Sequence, residues 1–262
     1  GDDVHFKYVD GNNKTCELYY VPQTAKGEFV IPKAVNGYSI VSIGERAFLD
    51  CTELTAVTIP ETTTTIGNYA FYGCTGLTTV NFSESVAEIG EFAFYGCSGL
   101  KNVKIPGSVK TIGLAAFRLS GLVSLTIGEG VKEVDRRAFQ DCYNMENIVL
   151  PSSLEKIGYD AFRGCINLNS VNSYLEEPIP LGDTTFDTEK KQNTGNKRGE
   201  NWKWTSATLY VPKGCKEKYE STSGWWLFQN IVEMNDDPEP TLRGDVNGDG
   251  TVNGTDLVAL AS

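Results

Sequence analysis

A single histidine, His5, occurs in the 262 residues. Serine and cysteine nucleophiles are activated by an adjacent imidazole, so such a site would depend on that one side chain, which falls in a polar N-terminal segment. No run approaches the ~20 consecutive apolar residues that cross a bilayer. Positive charge is also short: 23 Lys and Arg stand against 34 Asp and Glu, a formal net charge of -11. That balance argues against nucleic acid, which needs a basic face. No CxxC pair or histidine group offers zinc its usual spacing. No Gly-rich phosphate loop follows a strand. No pair of carboxylates recurs where it would be opposed across a cleft, as glycoside hydrolysis requires. The reading is a protein without catalytic residues, without a membrane span and without a nucleic-acid partner, expected to be a monomer. No export signal is visible, and Gly1-Asp2-Asp3 reads as a trimmed end, so a signal is expected to have been removed.

What is present is periodic. Hydrophobic residues make up 40% and charged residues 22%, a globular composition. Ala-Phe pairs occur at Ala47-Phe48, Ala70-Phe71, Ala93-Phe94, Ala116-Phe117, Ala138-Phe139 and Ala161-Phe162. Their spacings are 23, 23, 23, 22 and 23 residues. Four residues before each Ala stands Ile43, Ile66, Ile89, Ile112, Val134 or Ile157. The unit is I-G-x-x-A-F-x-x-C-x-x-L-x-x-V-x-I-P, and the fourth copy is one residue short.

Each part has a physical role. The L-x-x-V-x-I stretch alternates as a strand with one buried face. Pro60, Pro106 and Pro151 follow where a strand stops donating to a ladder. Gly44, Gly67, Gly90, Gly113 and Gly158, with Asp135 as the one substitute, suggest a left-handed backbone position. Ala admits close backbone approach, and Phe fills the space between layers. Cys51, Cys74, Cys97, Cys142 and Cys165 share one position, which suits burial as small hydrophobes. One unit cannot bury its own apolar face but a stack can. The expected fold is an α/β repeat solenoid, right-handed, with a parallel sheet along one face.

The segments IGNYAFYGCTGLTTVNF and IGEFAFYGCSGLKNVKIP resemble the BspA-like leucine-rich repeat. The resemblance covers about residues 25–235. It implies a solenoid displayed outside the cell, secreted or at a bacterial surface, often associated with adhesion or with binding host proteins.

Solenoid ends need covers. Residues 4–21 read as a hairpin around Asp10-Gly11-Asn12-Asn13, and 29–31 as a degenerate first strand before Pro32; together 1–37 form the N-terminal cap. The solenoid is assigned to 38–234, with a polar insertion at 183–206. Leu209-Tyr210-Val211-Pro212 recovers the strand-proline signature, a short helix starts near Lys213, and Trp225-Trp226-Leu227-Phe228 follows. Those aromatics, with Trp202 and Trp204, suit either carbohydrate stacking or a cover for the open end of the core.

An acidic linker, 235–243, leads to GDVNGDGTVNGTDLVALAS at 244–262. Counted as a twelve-residue calcium loop, Asp245, Asn247 and Asp249 take positions 1, 3 and 5, and Gly250 takes the sharp turn at 6. Thr251 offers its carbonyl at 7, Asn253 suits a bridging water at 9, and Asp256 closes the loop at 12. With Asp at 12 and no amphipathic helix ahead of it, the loop resembles a single dockerin repeat. That resemblance implies calcium on Asp245, Asn247, Asp249, Thr251 and Asp256, and a cohesin-like partner. Dockerins usually carry two such loops.

On the strands, the residues flanking the buried Val point outward. The candidate binding face is Thr58, Thr79, Asn81, Asn102, Lys104, Thr126, Asn147 and Asn172, a small, polar, nearly uncharged set. Six strands give roughly 350–400 Å², against ~800 Å² per partner in a standard protein interface. The favoured function is an extracellular binding or adhesion module for a host or microbial surface protein or glycan. An assembly component tethered through the calcium loop is the second reading, and a glycan-active enzyme the third.

Overall fold

The computed structural model describes residues 3–188 and 205–234. The repeat produces nine turns of a β-solenoid. Strands Glu53–Thr58, Thr79–Asn81, Asn102–Ile105, Ser124–Ile127, Asn147–Leu150 and Ser170–Ser173 come from the periodic segments. Lys26–Val30 precedes them, and Thr205–Val211 and Phe228–Glu233 follow. All pair in parallel, so equivalent side chains stack in rows: Leu125 beside Val103, Ile148, Val171, Leu209 and Ile231 in turn. The expected parallel face is present, and the return segments of the repeats are turns rather than helices. The ladder divides into three strands and six between Thr79–Asn81 and Asn102–Ile105. The division coincides with Phe82, which stands where neighbouring strands carry Ile59 and Ile105 and meets Phe94 edge-on at 5.8 Å.

A second parallel sheet, not anticipated from the sequence, runs along another side. Its rungs are the two-residue strands Thr65–Ile66, Glu88–Ile89, Thr111–Ile112, Glu133–Val134 and Lys156–Ile157. Each is too short to betray a period, and only stacking makes it a strand. At the N-terminal end this sheet continues through Tyr38–Ile43 into the expected hairpin, His5–Asp10 with Thr15–Tyr20. Among the described residues the only α-helix is Lys216–Ser221.

The Phe residues form one spine. Rings of Phe48, Phe71, Phe94, Phe117, Phe139, Phe162 and Phe186 stack with neighbouring centroids 4.6–5.3 Å apart and planes within 16°. All seven are buried. Burying each is worth roughly 1.5–3 kcal/mol, which a lone unit could not realise. The backbone reinforces the stack: the amide of each Phe donates to the carbonyl ahead of the next Phe, as in Phe71 to Ala93 at 2.7 Å and Phe117 to Ala138 at 2.7 Å.

Phe186 extends the count. Leu181-Gly182-Asp183-Thr184-Thr185-Phe186 is a seventh copy of I-G-x-x-A-F with Thr in the Ala place, and the Phe162 amide donates to the Thr185 carbonyl at 2.9 Å. The stack therefore takes in residues through Thr188 that the sequence reading gave to the 183–206 insertion; 189–204 lies outside the described residues. Thr for Ala, and a 24-residue step in place of 23, hid the copy.

The repeat glycines serve closeness, not handedness. Gly67, Gly90, Gly113 and Gly158 are absent from the positions of positive φ. A Cβ on Gly90 would lie 2.7 Å from the Asn68 amide nitrogen and the Gly67 carbonyl carbon, and one on Gly113 2.7 Å from Gly90 and Ile89 backbone atoms. The layers touch there with no room for a methyl. The left-handed residue comes two positions later, immediately before each Ala: Arg46, Tyr69, Phe92, Ala115, Arg137 and Asp160, with φ from 51° to 59°. Bulky residues rarely adopt that conformation, and the inter-layer amide bonds on either side hold it.

The cysteines do more than fill volume. Four thiols donate to the carbonyl of the Phe one layer back: Cys74 to Phe48 at 3.0 Å, Cys97 to Phe71 at 3.2 Å, Cys142 to Phe117 at 3.2 Å, Cys165 to Phe139 at 3.4 Å. Cys51, in the first repeat, donates to the Pro22 carbonyl at 3.6 Å. In the fourth repeat Ser120 takes this position and contacts the Cys142 sulfur at 3.3 Å. Burial pushes the thiols up, Cys51 to about 11 and Cys74 and Cys142 to about 12. Burial therefore favours the protonated thiol at neutral pH.

At the C-terminal end Trp225, Tyr219 and Phe228 close the core. The Trp225 indole donates to the Ile179 carbonyl at 2.7 Å, and the Tyr219 hydroxyl donates to the Leu175 carbonyl at 2.8 Å. Of the two aromatic readings, the cover holds for Trp225 and Phe228, while Trp226 is exposed. Trp202 and Trp204 lie outside the described residues.

Candidate binding face

Parallel register turns scattered polar residues into two rows. One row runs Thr58, Asn81, then Lys104, Thr126, Val149, Asn172, Tyr210 and Val232. The other runs Ala56, Thr79, then Asn102, Ser124, Asn147, Ser170, Thr208 and Asn230. The eight sequence-predicted residues therefore fall on one side of the solenoid: Thr58, Asn81, Lys104, Thr126 and Asn172 in the first row, Thr79, Asn102 and Asn147 in the second. Thr79, Asn81, Asn102 and Lys104 are exposed, whereas Thr126, Asn147 and Asn172 are half-buried. Val149 between them is buried.

Side chains within the rows bond along the stacking direction. Asn81 Nδ2 donates to Thr58 Oγ1 at 3.1 Å, Ser170 Oγ to Asn147 Oδ1 at 2.8 Å, and Asn230 Nδ2 to Thr208 Oγ1 at 3.0 Å. These bonds fix which way the Asn81, Asn147 and Asn230 amides face. Every carboxamide and hydroxyl has both donor and acceptor capacity, so bonding one neighbour does not exhaust it. From Thr58 to Asn230 the only charge on the two rows is Lys104. Neutral groups are cheaper to desolvate than charged ones, which suits a contact surface.

Three strands outside the six clear repeats extend the face. Lys26–Val30, where a degenerate first strand is expected at 29–31, adds Glu28 and Val30 before Ala56 and Thr58. Thr205–Val211 and Phe228–Glu233 add Thr208, Tyr210, Asn230 and Val232. Leu209-Tyr210-Val211-Pro212 had signalled the first of these two; nothing in Phe228–Glu233 signals a strand without its partner. Nine strands of about four residues give roughly 550–600 Å², larger than the six-strand estimate.

His5 sits on the hairpin with its Nδ1 3.4 Å from the Tyr19 hydroxyl and its ring edge-on to Tyr19 and Tyr20. Among the described residues no helix is long and apolar enough to cross a membrane. The calcium loop, with Asp245, Asn247, Asp249, Thr251 and Asp256, lies outside the described residues, as does the 235–243 linker.

Similar proteins agree with the stack. Residues 28–146 and 132–190 match the BspA type leucine-rich repeat region, in six copies. A leucine-rich repeat protein from Bacteroides ovatus superposes with a TM-score of 0.62 at 22% identity, covering 89% of this chain and 76% of that one. A leucine-rich cell surface protein from Faecalibacterium prausnitzii gives a TM-score of 0.50 at 20% identity, covering 87% of this chain and 74% of that one. A leucine-rich repeat protein from Bacteroides capillosus is 34% identical over 47% of this chain and 91% of its own, with a TM-score of 0.41. No curated protein matches. With the six matched copies spanning most of the chain and the Phe spine running through them, the chain belongs to the BspA type leucine-rich repeat family.

Proposed function

We propose that the protein is a secreted or cell-surface binding module that takes an extended segment of another protein along its nine-strand face, with adhesion as the biological outcome. The observation that carries this reading is the paired polar rows. They hold one charge between Thr58 and Asn230, and the Asn81, Asn147 and Asn230 amides are oriented by bonds to a neighbouring rung. An extended peptide laid across the strands meets donors and acceptors every ~4.8 Å. The area is below that of a standard interface, so affinity from the face alone is weak and a surface-displayed array would raise it through avidity. The Faecalibacterium protein is a cell surface protein, which supports the same setting here. Nothing in the site calls for catalysis.

The test is a panel of immobilised extracellular-matrix and bacterial surface proteins probed with the full chain. Asn102→Glu and Asn147→Glu place like charges on the rows without touching the core. We expect any specific partner to lose binding by about tenfold or more, roughly 1.4 kcal/mol, while the thermal midpoint falls by no more than about 4 °C. Retention by both variants would refute the face as the site.

For the tail we propose calcium binding at Asp245, Asn247, Asp249, Thr251 and Asp256. The support is the spacing of hard oxygen ligands around Gly250. The segment from 235 onward carries six acids against Arg243, so calcium would offset its charge. Isothermal titration with calcium should show one site that Asp245→Ala and Asp249→Ala remove. Capture of a partner that chelation abolishes would favour the tethered assembly component and a cohesin-like partner; capture indifferent to chelation favours the face alone.

A further inference from the structure

Adjacent tryptophans have opposite fates at the end of the solenoid. Trp225 is fully buried and bonded to Ile179, whereas Trp226 is 46% exposed. Trp226 borders an open depression of about 410 Å³, lined also by Lys216 and Glu220 of the helix and by Gln229 and Asn230 of the last strand. The buried Phe228 and Ile231 underlie it. That volume falls within the ~300–1,000 Å³ of small-molecule sites.

We infer that this depression is a binding site for a neutral oligosaccharide, with Trp226 supporting one pyranose ring and Gln229 and Asn230 bonding its hydroxyls. The chemistry of the lining selects this ligand class. Lys216 and Glu220 form an ion pair at 3.8 Å, so their charges offset and the site favours neither an anion nor a cation. A quaternary ammonium requires several aromatic walls, and among the described residues this lining presents one exposed ring. Carboxamides both donate and accept, as the adjacent hydroxyls of a sugar do. An indole offers apolar area against the C–H face of the same ring.

One of the two amides is pre-oriented. Asn230 Nδ2 donates to Thr208 Oγ1 at 3.0 Å, which fixes the side chain and sets its Oδ1 as an acceptor. Preorganisation of this kind lowers the cost of binding. The helix side is fixed as well, because the Lys216 amide donates to Glu233 Oε1 at 3.2 Å across the edge of the last strand. The depression is open, so a chain longer than the site can pass through with its ends in solvent. It shares Asn230 with the end of the outer row, but Asn102 and Asn147 do not line it, so it does not require the protein-binding reading of the face.

The experiment uses the full chain with cellotetraose, mannotetraose, xylotetraose and maltotetraose, followed by saturation-transfer NMR and isothermal titration. At least one should bind at millimolar concentration or better, the range expected of an open polar site. Trp226→Ala should weaken that sugar by about tenfold and Gln229→Ala by about threefold, whereas Trp226→Phe keeps a ring and should stay within about threefold of the parent. Asn102→Glu, five strands away along the same row, should leave sugar binding unchanged. Thermal midpoints verify that each variant folds; if Trp226→Ala does not, the Gln229→Ala and Trp226→Phe pair decides. Failure of all four sugars at millimolar concentration, or binding unaffected in both Trp226→Ala and Gln229→Ala, overturns the proposal.

Discussion

The molecule contains two periodic polar ladders built from the same repeat, one inside and one outside. Inside, Cys74, Cys97, Cys142 and Cys165 give their thiol protons to Phe carbonyls. Thr63, Ser108 and Ser153 likewise give their hydroxyl protons to the carbonyls of Ile40, Val86 and Val131. Each of these groups is buried or half-buried and spent on backbone. Outside, Asn81, Asn147, Ser170 and Asn230 bond one another and Thr neighbours, with capacity left over. Periodicity alone does not mark a functional row. The discriminating property is whether the bonding capacity is consumed by the layer below or remains turned to solvent.

Breaking the inner stack should have the largest effect. Phe94→Ala removes a ring from the middle of the spine and should cost about 3–5 kcal/mol. For a chain of this size that lowers the thermal midpoint by roughly 10 °C, measurable by circular dichroism. Gly90→Ala places a methyl 2.7 Å from backbone of the layer beneath and should cost about 1–3 kcal/mol. Gly11→Ala, with nothing within 4 Å of its Cβ, should shift stability by less than about 0.5 kcal/mol. Equal losses at the two glycines would mean that the layers can part, contrary to the close approach described.

The inner thiols also set a pH dependence. Their folded values are raised by burial, to about 12 for Cys74 and Cys142, from an ordinary thiol value of 9.0. Stability from keeping them neutral is complete below the unfolded value and declines as pH rises through the window up to the folded value. Each fully buried thiol contributes up to about 1.4 kcal/mol per pH unit in that window. Urea midpoints should therefore be flat from neutral pH toward 9.0 and fall steeply above it. Cys97→Ser, which imitates Ser120, should make the fall shallower.

The outer ladder should be nearly silent in stability. Asn147→Ala removes the acceptor of Ser170 at a half-buried position and should cost about 0.5–1 kcal/mol. A cost comparable to that of Phe94→Ala would show the outer row to be part of the core and would erase the distinction drawn here.

Much of this was legible in order of residues. Ala-Phe pairs at a constant step identify layers, because only stacking gives each Phe a buried partner. The outward positions beside Val57, Val80 and Val103 follow from strand alternation. Other features were hidden for physical reasons. The glycines before Ala looked like left-handed positions because glycine serves both handedness and closeness, and sequence does not separate the two. Phe186 escaped because Thr185 breaks the Ala-Phe pair, although the fold needs only a small residue there. The strand Phe228–Glu233 has a burial pattern that depends on Leu209 beside it.

Composition and spacing by themselves determined a stack of layers with an apolar spine, since no other arrangement buries a Phe every 23 residues. Tertiary structure alone decided the number of layers, the second sheet of two-residue strands, and the separation of Trp225 from Trp226. Those outcomes depend on which backbone and side-chain groups meet across layers, and contacts between residues more than twenty positions apart are not written in any local pattern.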